Sequence, residues 1–205
     1  MALDTQDRVV FGHAVRVTGR LTTDAGRGLG GRDVTVYRRS PGARWTRRSR
    51  VRTGGGGGLD LRFTPATNRS LRAVYKGGRR VWGSQSRTTR VLVAPRIALM
   101  PAGGRVAPNG VRHFSAGTKS IPVSGGVRPA HPNEGRVAIS VERFRSGGNW
   151  RELSRATKRL TAESRYSASV AVAGPGRYRV VTRMAADDDH ARGRSPVRGF
   201  VVDGP

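Results

Sequence analysis

Gly31-Arg32-Asp33-Val34-Thr35-Val36-Tyr37-Arg38-Arg39 sets Val34 and Val36 on alternate positions with Asp33, Thr35 and Tyr37 between them. A similar segment returns later as Gly135-Arg136-Val137-Ala138-Ile139-Ser140-Val141-Glu142-Arg143. Successive side chains of an extended chain point to opposite faces, so each segment reads as a strand buried on one side. Outward from this pair the repetition continues. Val15-Arg16-Val17-Thr18-Gly19-Arg20-Leu21 recurs 106 positions later as Ile121-Pro122-Val123-Ser124-Gly125-Gly126-Val127, and Trp45 recurs 105 positions later as Trp150. Leu59-Asp60-Leu61-Arg62-Phe63 matches Tyr166-Ser167-Ala168-Ser169-Val170, and Leu71-Arg72-Ala73-Val74 matches Tyr178-Arg179-Val180-Val181, both displaced by 107. A period of about a hundred residues is too long for a solenoid turn or a propeller blade and suits one small domain per repeat.

Turn chemistry divides the alternating segments at intervals of roughly ten residues. It is carried by Asp24-Ala25-Gly26, Ser40-Pro41-Gly42, the glycine run 54–58, Gly77-Gly78, Ser146-Gly147-Gly148-Asn149 and Gly174-Pro175-Gly176. The predicted strands of the first repeat are 14–21, 33–39, 45–52, 58–64, 70–76 and 87–93, with a short opening strand at 8–11. Those of the second are 96–100, 120–127, 136–144, 150–156, 165–172, 177–184 and 197–202. No apolar series keeps a 3.6-residue spacing over three turns, so no helix is expected. The fold class is therefore all-β, two tandem immunoglobulin-like antiparallel β-sandwich domains of about seven strands each. Domain 1 covers 1–95 and domain 2 covers 96–205, joined at Ala94-Pro95-Arg96. Residues 101–120 form a longer connection than two opening strands ordinarily need.

Gly19-Arg20-Leu21-Thr22, the Asp24-Ala25-Gly26 turn, the 31–39 segment and the tryptophan that follows resemble the bacterial immunoglobulin-like repeat domains of secreted and surface proteins from high-GC bacteria. Val141-Glu142-Arg143, Asn149-Trp150-Arg151, Arg165-Tyr166-Ser167-Ala168, Gly174 to Val180 and the late Asp189-His190-Ala191 loop extend the resemblance to the second half. It implies the sandwich fold and assigns no catalytic or ligand-binding residue, because the matching positions are core and turn positions.

Composition adds constraints. At 205 residues and 36% hydrophobic content, the chain can build two modest cores. It has no cysteine, which excludes an inter-sheet disulfide, a thiolate metal site and a thiol nucleophile. No run of eighteen apolar residues exists, so no helical membrane span is expected, and Met1-Ala2-Leu3-Asp4-Thr5-Gln6-Asp7 lacks the basic then apolar pattern of a signal peptide. Asp7-Arg8-Val9-Val10-Phe11-Gly12 reads as the entry into a repeat with something before it. Either the protein stays inside the cell or it is a piece of a longer exported chain; the expectation favours the latter, extracellular or at the cell surface, with other domains of that chain as neighbours.

Charge is the outlying feature: 39 basic residues against 13 acidic, a formal net charge of +26. Residues 1–95 hold 20 and 5, residues 96–205 hold 19 and 8, and all but Lys76, Lys119 and Lys158 of the bases are arginine. Codon supply in a GC-rich genome accounts for arginine over lysine, and leaves the scarcity of acids unexplained. A surface this basic attracts polyanions by counterion release. The densest stretch places Arg38, Arg39, Arg44, Arg47, Arg48, Arg50 and Arg52 around Trp45, on two strands joined at Ser40-Pro41-Gly42-Ala43, with Arg48, Arg50 and Arg52 expected on one face. Guanidinium groups beside an aromatic suit phosphates and sulfates and can stack on a sugar or base. The preferred reading, because a tryptophan recurs at matching strand positions in both repeats, is that Trp45 and Trp150 are buried as the core tryptophans of their sandwiches, with the arginines solvated.

Other residues give weaker signals. Asp187-Asp188-Asp189-His190 lacks the alternating ligands of a calcium loop and reads as an acidic loop before the last strand. The glycine run 54–58 lacks the Gly-Lys-Ser/Thr ending of a phosphate-binding loop and reads as a loose hairpin tip. His13, His113, His131 and His190 have no zinc spacing, and Glu134, Glu142, Glu152 and Glu163 form no recognisable acid/base pair. Asn68-Arg69-Ser70 fits a glycosylation sequon. Neither a catalytic, a metal nor a cofactor site is expected. The leading expectation is a non-catalytic structural, spacer or adhesion module, weakly attached to anionic polysaccharide or cell-wall polymer. The alternative is a binder of polyanions, nucleic acid included, through nonspecific charge; an enzyme is the third class, with no visible nucleophile, base or metal cluster to support it.

Overall fold

The structure is a computed structural model that describes residues 1–79, 81–131 and 135–205. Every strand among them belongs to one of four sheets, and no helix is present among the described residues. The chain divides into two compact units: unit 1 is Met1–Ala94 with Asp187–Ala191, and unit 2 is Pro95–Ala186 with Arg192–Pro205.

Unit 1 contains β1 (Ala2–Thr5), β2 (Arg8–Val10), β3 (Val15–Arg20), β4 (Asp33–Arg39), β5 (Thr46–Arg52), β6 (Gly58–Phe63), β7 (Arg69–Tyr75), β8 (Ser84–Gln85) and β9 (Thr89–Ala94). They form a three-stranded sheet β1-β3-β6 and a larger sheet β2-β9-β7-β4-β5, with β8 beside β7. Inward residues obey the alternation: Val15, Val17, Val34, Val36, Leu71, Ala73, Val91 and Val93 are all buried. Strand β1 falls outside the predicted list, because four residues at the start show only partial alternation. The run 54–58 is no hairpin tip either, since β5 and β6 belong to different sheets and the glycines cross between them. Gly57, at φ +78°, has its amide on the Gly54 carbonyl and its own carbonyl on the Leu21 amide, so the crossing is held rather than loose.

Unit 2 contains β10 (Arg96–Pro101), β11 (Arg105–Val106), β12 (Arg112–Phe114), β13 (Ser120–Arg128), β14 (Arg136–Phe144), β15 (Trp150–Arg159), β16 (Arg165–Ala171), β17 (Gly176–Met184), β18 (Gly193–Arg194) and β19 (Arg198–Val202). Its sheets are β10-β13-β16 and β11-β12-β19-β17-β14-β15, with β18 beside β17. The long 101–120 connection holds a short hairpin, and its second arm β12 pairs in parallel with the final strand β19. In unit 1 β2 pairs in parallel with β9 in the same way. The insertion therefore lengthens the step between two opening strands that unit 1 makes with Gln6 and Asp7 alone.

Each unit is an immunoglobulin-like sandwich with seven strands of four or more residues and a few shorter ones. In unit 2 the Tyr178 ring stacks on Phe200 at 5.4 Å, and its hydroxyl donates to the Gly174 carbonyl at 2.7 Å. That is the tyrosine corner at the start of the sixth main strand in this class of sandwich. Strands β1 and β10 pass so close to their partners that glycine is required at equivalent positions. A Cβ on Gly19 would lie 2.5 Å from the Ala2 carbonyl oxygen, and one on Gly125 would meet the Ala98 carbonyl and the Tyr166 phenol.

The Tyr166 hydroxyl donates to Ala98 O at 2.6 Å and lies 2.9 Å from Thr182 Oγ1, so it ties β16 to β10 and to the opposite sheet. Burial pushes this phenol above its ordinary value, with the Thr182 hydrogen bond opposing. A raised folded-state value means that the unfolded chain releases the proton first. Stability is then complete below about pH 10 and falls as pH rises through the phenol range. Urea denaturation at about pH 9 and about pH 11 should show a smaller loss for Tyr166→Phe than for the parent; equal losses would contradict a buried, bonded phenol. Ile139→Ala, at a fully buried central position, is expected to cost about 2–5 kcal/mol in the same assay.

Candidate functional site

The arginine-rich segment lies on β4 and β5, and one irregularity decides which way its side chains face. Val36 pairs with Ser49 but Tyr37 pairs with Arg47, which leaves Arg48 as the extra residue of a β-bulge. A bulge shifts the alternation of the strand that carries it. Beyond it, Arg47 and Trp45 join Arg50 and Arg52 on the outer face, while Arg48 turns inward with its guanidinium 5.5 Å from the Phe63 ring centroid. The expectation that Arg48, Arg50 and Arg52 share one face is thereby corrected.

Trp45 is a partly buried residue of that outer face and belongs to neither core cluster of unit 1. Two guanidinium groups lie over its ring, Arg39 at 4.8 Å and Arg72, from β7, at 4.4 Å. Arg72 also lies 5.7 Å from the Tyr37 ring. The reading of Trp45 as a core tryptophan fails for the same reason as the Arg48 assignment, since the bulge reverses the parity of the strand. Trp150 behaves likewise, with Arg179 at 4.5 Å and Phe144 at 5.2 Å.

The remaining predicted residues divide into groups. Arg47 and Arg50 border a shallow concavity of about 410 Å³ that also includes Arg32, Tyr37 and Lys76. Arg50 is paired with Asp33 at 2.8 Å, an exposed ion pair worth little. Arg52 is opposite Asp33 in the ladder. Arg38, the last residue but one of β4, lies near Arg69, whose guanidinium it helps to push below the ordinary arginine range, after burial as the larger cause. Arg44 is an exposed residue just before Trp45. Arg69, Arg72 and Arg90, which the sequence run does not include, are brought beside it by β7 and β9.

The repeat supplies an internal comparison. Unit 2 has the same bulge, with Val141 on Ser154 and Glu142 on Glu152 and Leu153 turned against the core. Matching the two bulges pairs Val36 with Val141 and Val34 with Ile139, one position away from the equal-length alignment of Gly31–Arg39 with Gly135–Arg143. Tyr37 and Arg47 then correspond to Glu142 and Glu152. Glu142 takes Arg179 at 2.5 Å and Arg183 at 3.8 Å, and Glu152 takes Arg155 at 2.8 Å. Two carboxylates thus offset the arginines on the outer face of unit 2, at positions where unit 1 has a phenol and another guanidinium.

The weaker sequence signals resolve into local structure. Asp187 Oδ1 accepts the backbone amides of Asp189 and His190 at 2.9 and 2.6 Å, and the buried His190 ring is 3.1 Å from the Ala66 carbonyl. Asn68 Oδ1 accepts the Val93 amide at 2.8 Å, and its side-chain nitrogen donates to the Asp188 carbonyl at 3.3 Å. His113 is hydrogen-bonded to Asp203 at 2.7 Å. Glu134 lies outside the described residues. Trp82, 93% exposed in the segment between β7 and β8, had no periodic signal to mark it.

No family model and no curated protein matches the chain. Among solved structures it is similar to the D0-D1 domain of Intimin, 12% identical over 97% of this chain and 96% of that one, with a TM-score of 0.36. It is also similar to a DUF4785 family protein from Legionella pneumophila, 11% identical with a TM-score of 0.51. That alignment covers 89% of this chain and 50% of the other, so the chain spans half the length of the Legionella protein. A third is a 1.5-MDa bacterial ice-binding adhesin, 13% identical over 99% of this chain and 64% of that one, with a TM-score of 0.33. At such identities the likeness bears on fold alone.

With Trp45 on the outer face against two cations, Trp45→Ala should cost about 1–2 kcal/mol in urea denaturation. A loss of about 3–5 kcal/mol, the range for a core aromatic, would contradict this placement.

Proposed function

We propose that this chain is a non-catalytic tandem immunoglobulin-like module of an exported or cell-surface protein, one that spaces or adheres and holds anionic polymers by charge. The observation that carries the reading is the outer face of unit 1, where Arg39, Arg47 and Arg72 surround Trp45 and Tyr37 without the two carboxylates that unit 2 has on its equivalent face. Strand-borne guanidinium groups with aromatic faces between them offer charge to a polyanion and stacking area to its rings. Polysaccharide or cell-wall polymer is the favoured partner. Nucleic acid is the alternative, because the same face can stack on bases.

Salt titration of retention on heparin, purified cell wall and duplex DNA separates these readings. One polymer is expected to be retained beyond about 0.3 M salt, where purely nonspecific attraction has weakened. Replacing Arg39 and Arg47 together by alanine should reduce the slope of log affinity against log salt by roughly 2. Loss of all three interactions at the same lower salt, with no effect of the substitutions, would reduce the module to a spacer with a basic surface.

A further inference from the structure

At one end of the same face, within unit 1, lies a concavity of about 450 Å³ bordered by the turn Ser40-Pro41-Gly42-Ala43. Ligand pockets start at about 300 Å³, so this volume suits one sugar ring and its substituents. We propose that the concavity is a subsite for a single oxyanion group, a sulfate ester, phosphate or carboxylate, carried on a saccharide and held by Arg39, Arg69 and Arg90. This deepens the polymer-binding reading and rests on it for the source of the saccharide.

Three strands converge on the site. Arg39 is the last residue of β4, Arg69 the first of β7, and Arg90 lies on β9, where it pairs with Ser70. Arg69 donates to the Ser40 hydroxyl and to the Asn68 carbonyl, both through Nη1. Among the described residues its other guanidinium nitrogens have no acceptor, and they are available for a planar, two-point contact with an oxyanion. Partial burial and, after it, like-charge crowding by Arg38 disfavour the Arg69 cation, Asp189 partly offsets them, and a bound anion would relieve the remainder. Asp188 is the acidic residue of the lining and offers an acceptor for a sugar hydroxyl, while the exposed part of Leu92 offers an apolar surface to ring C–H groups.

The fold does not require these arginines. Matched through the bulge and through the ladders, Arg39 corresponds to Phe144, Arg69 to Gly176, and Arg90 to Val201, which pairs with Arg177 as Arg90 pairs with Ser70. The second repeat builds the same frame with an aromatic, a glycine and a valine. Three cations meeting in a concavity only where the frame is indifferent to their identity is an arrangement directed at a ligand.

The test is a titration of the full chain with sodium sulfate, inorganic phosphate and sodium glucuronate at constant ionic strength, followed by amide chemical shifts. Ser40, Gly42, Ser70 and Arg90 should move along one saturating curve for at least one anion, while Arg145, Arg177 and Val201 of unit 2 stay still. The anion that saturates first identifies the group. Arg90→Ala, at an exposed position, and Arg69→Gln should each weaken that anion by about tenfold, the loss of one charge-assisted hydrogen bond. Shifts that spread over both units without saturation, or variants that titrate like the parent, would overturn the subsite. Heparin retention with no anion titration sinks the subsite alone. Anion titration without retention of any polymer sinks the polymer reading and leaves the subsite standing.

Discussion

One extra residue in an edge strand determines what this protein presents to solvent. The valines of β4 must stay between the sheets, because burial of alternate apolar side chains is the main source of stability in a sandwich of this size. Arg48 in β5 and Leu153 in β15 are the added residues that let the strand keep Val51 inward while moving Trp45, or Trp150, outward. Without that bulge, Trp45 would face the opposite side and Arg47 would point into the sandwich. The aromatic and cationic face exists because the ladder slips by one residue at this point.

The two repeats share this frame and differ in what they place on it. Both hold an outer tryptophan against an arginine two strands away in the same sheet, Arg72 on β7 in one and Arg179 on β17 in the other. Cation–π contacts of this kind contribute about 0.5–1 kcal/mol at exposed sites, enough to orient side chains and too little to define a fold. The difference lies in the carboxylates. Glu142 and Glu152 answer the cations of unit 2, while Tyr37 and Arg47 stand at those positions in unit 1. The net charge read from composition is spread over both halves, and the carboxylates at these two equivalent positions are found in unit 2 alone.

Much of the architecture was legible in the sequence because each main strand carries its own alternation. Val15 with Val17, Val34 with Val36, and Ile121 with Val123 report a buried face without help from the rest of the chain. Strands of two to four residues have little room for a period, and of these only β2 was expected, at 8–11. That is why β1, β8, β11 and β18 were not visible, and why 101–120 looked like an insertion rather than a hairpin leading to the parallel partner of β19. The candidate site was legible only in outline. The run from Arg38 to Arg52 marked the two strands, but a bulge leaves no mark in an arginine-rich segment, so the facing of Arg48 and of Trp45 was misjudged. Arg69, Arg72 and Arg90 come from strands far along the chain, and only strand pairing brings them together. The parity of Leu71-Arg72-Ala73 does place Arg72 outward, and it is the one signal that pointed to the missing half of the face.

The most direct measurement is to follow the indole N–H signals of Trp45 and Trp150 together while titrating a sulfated oligosaccharide into the full chain at near-physiological salt. The two indoles occupy equivalent positions in the same frame and differ in the carboxylates around them. The Trp45 signal is expected to move and saturate while the Trp150 signal stays in place. Equal movement of both, or movement of Trp150 first, would show that the face of unit 1 has no special role in holding anions.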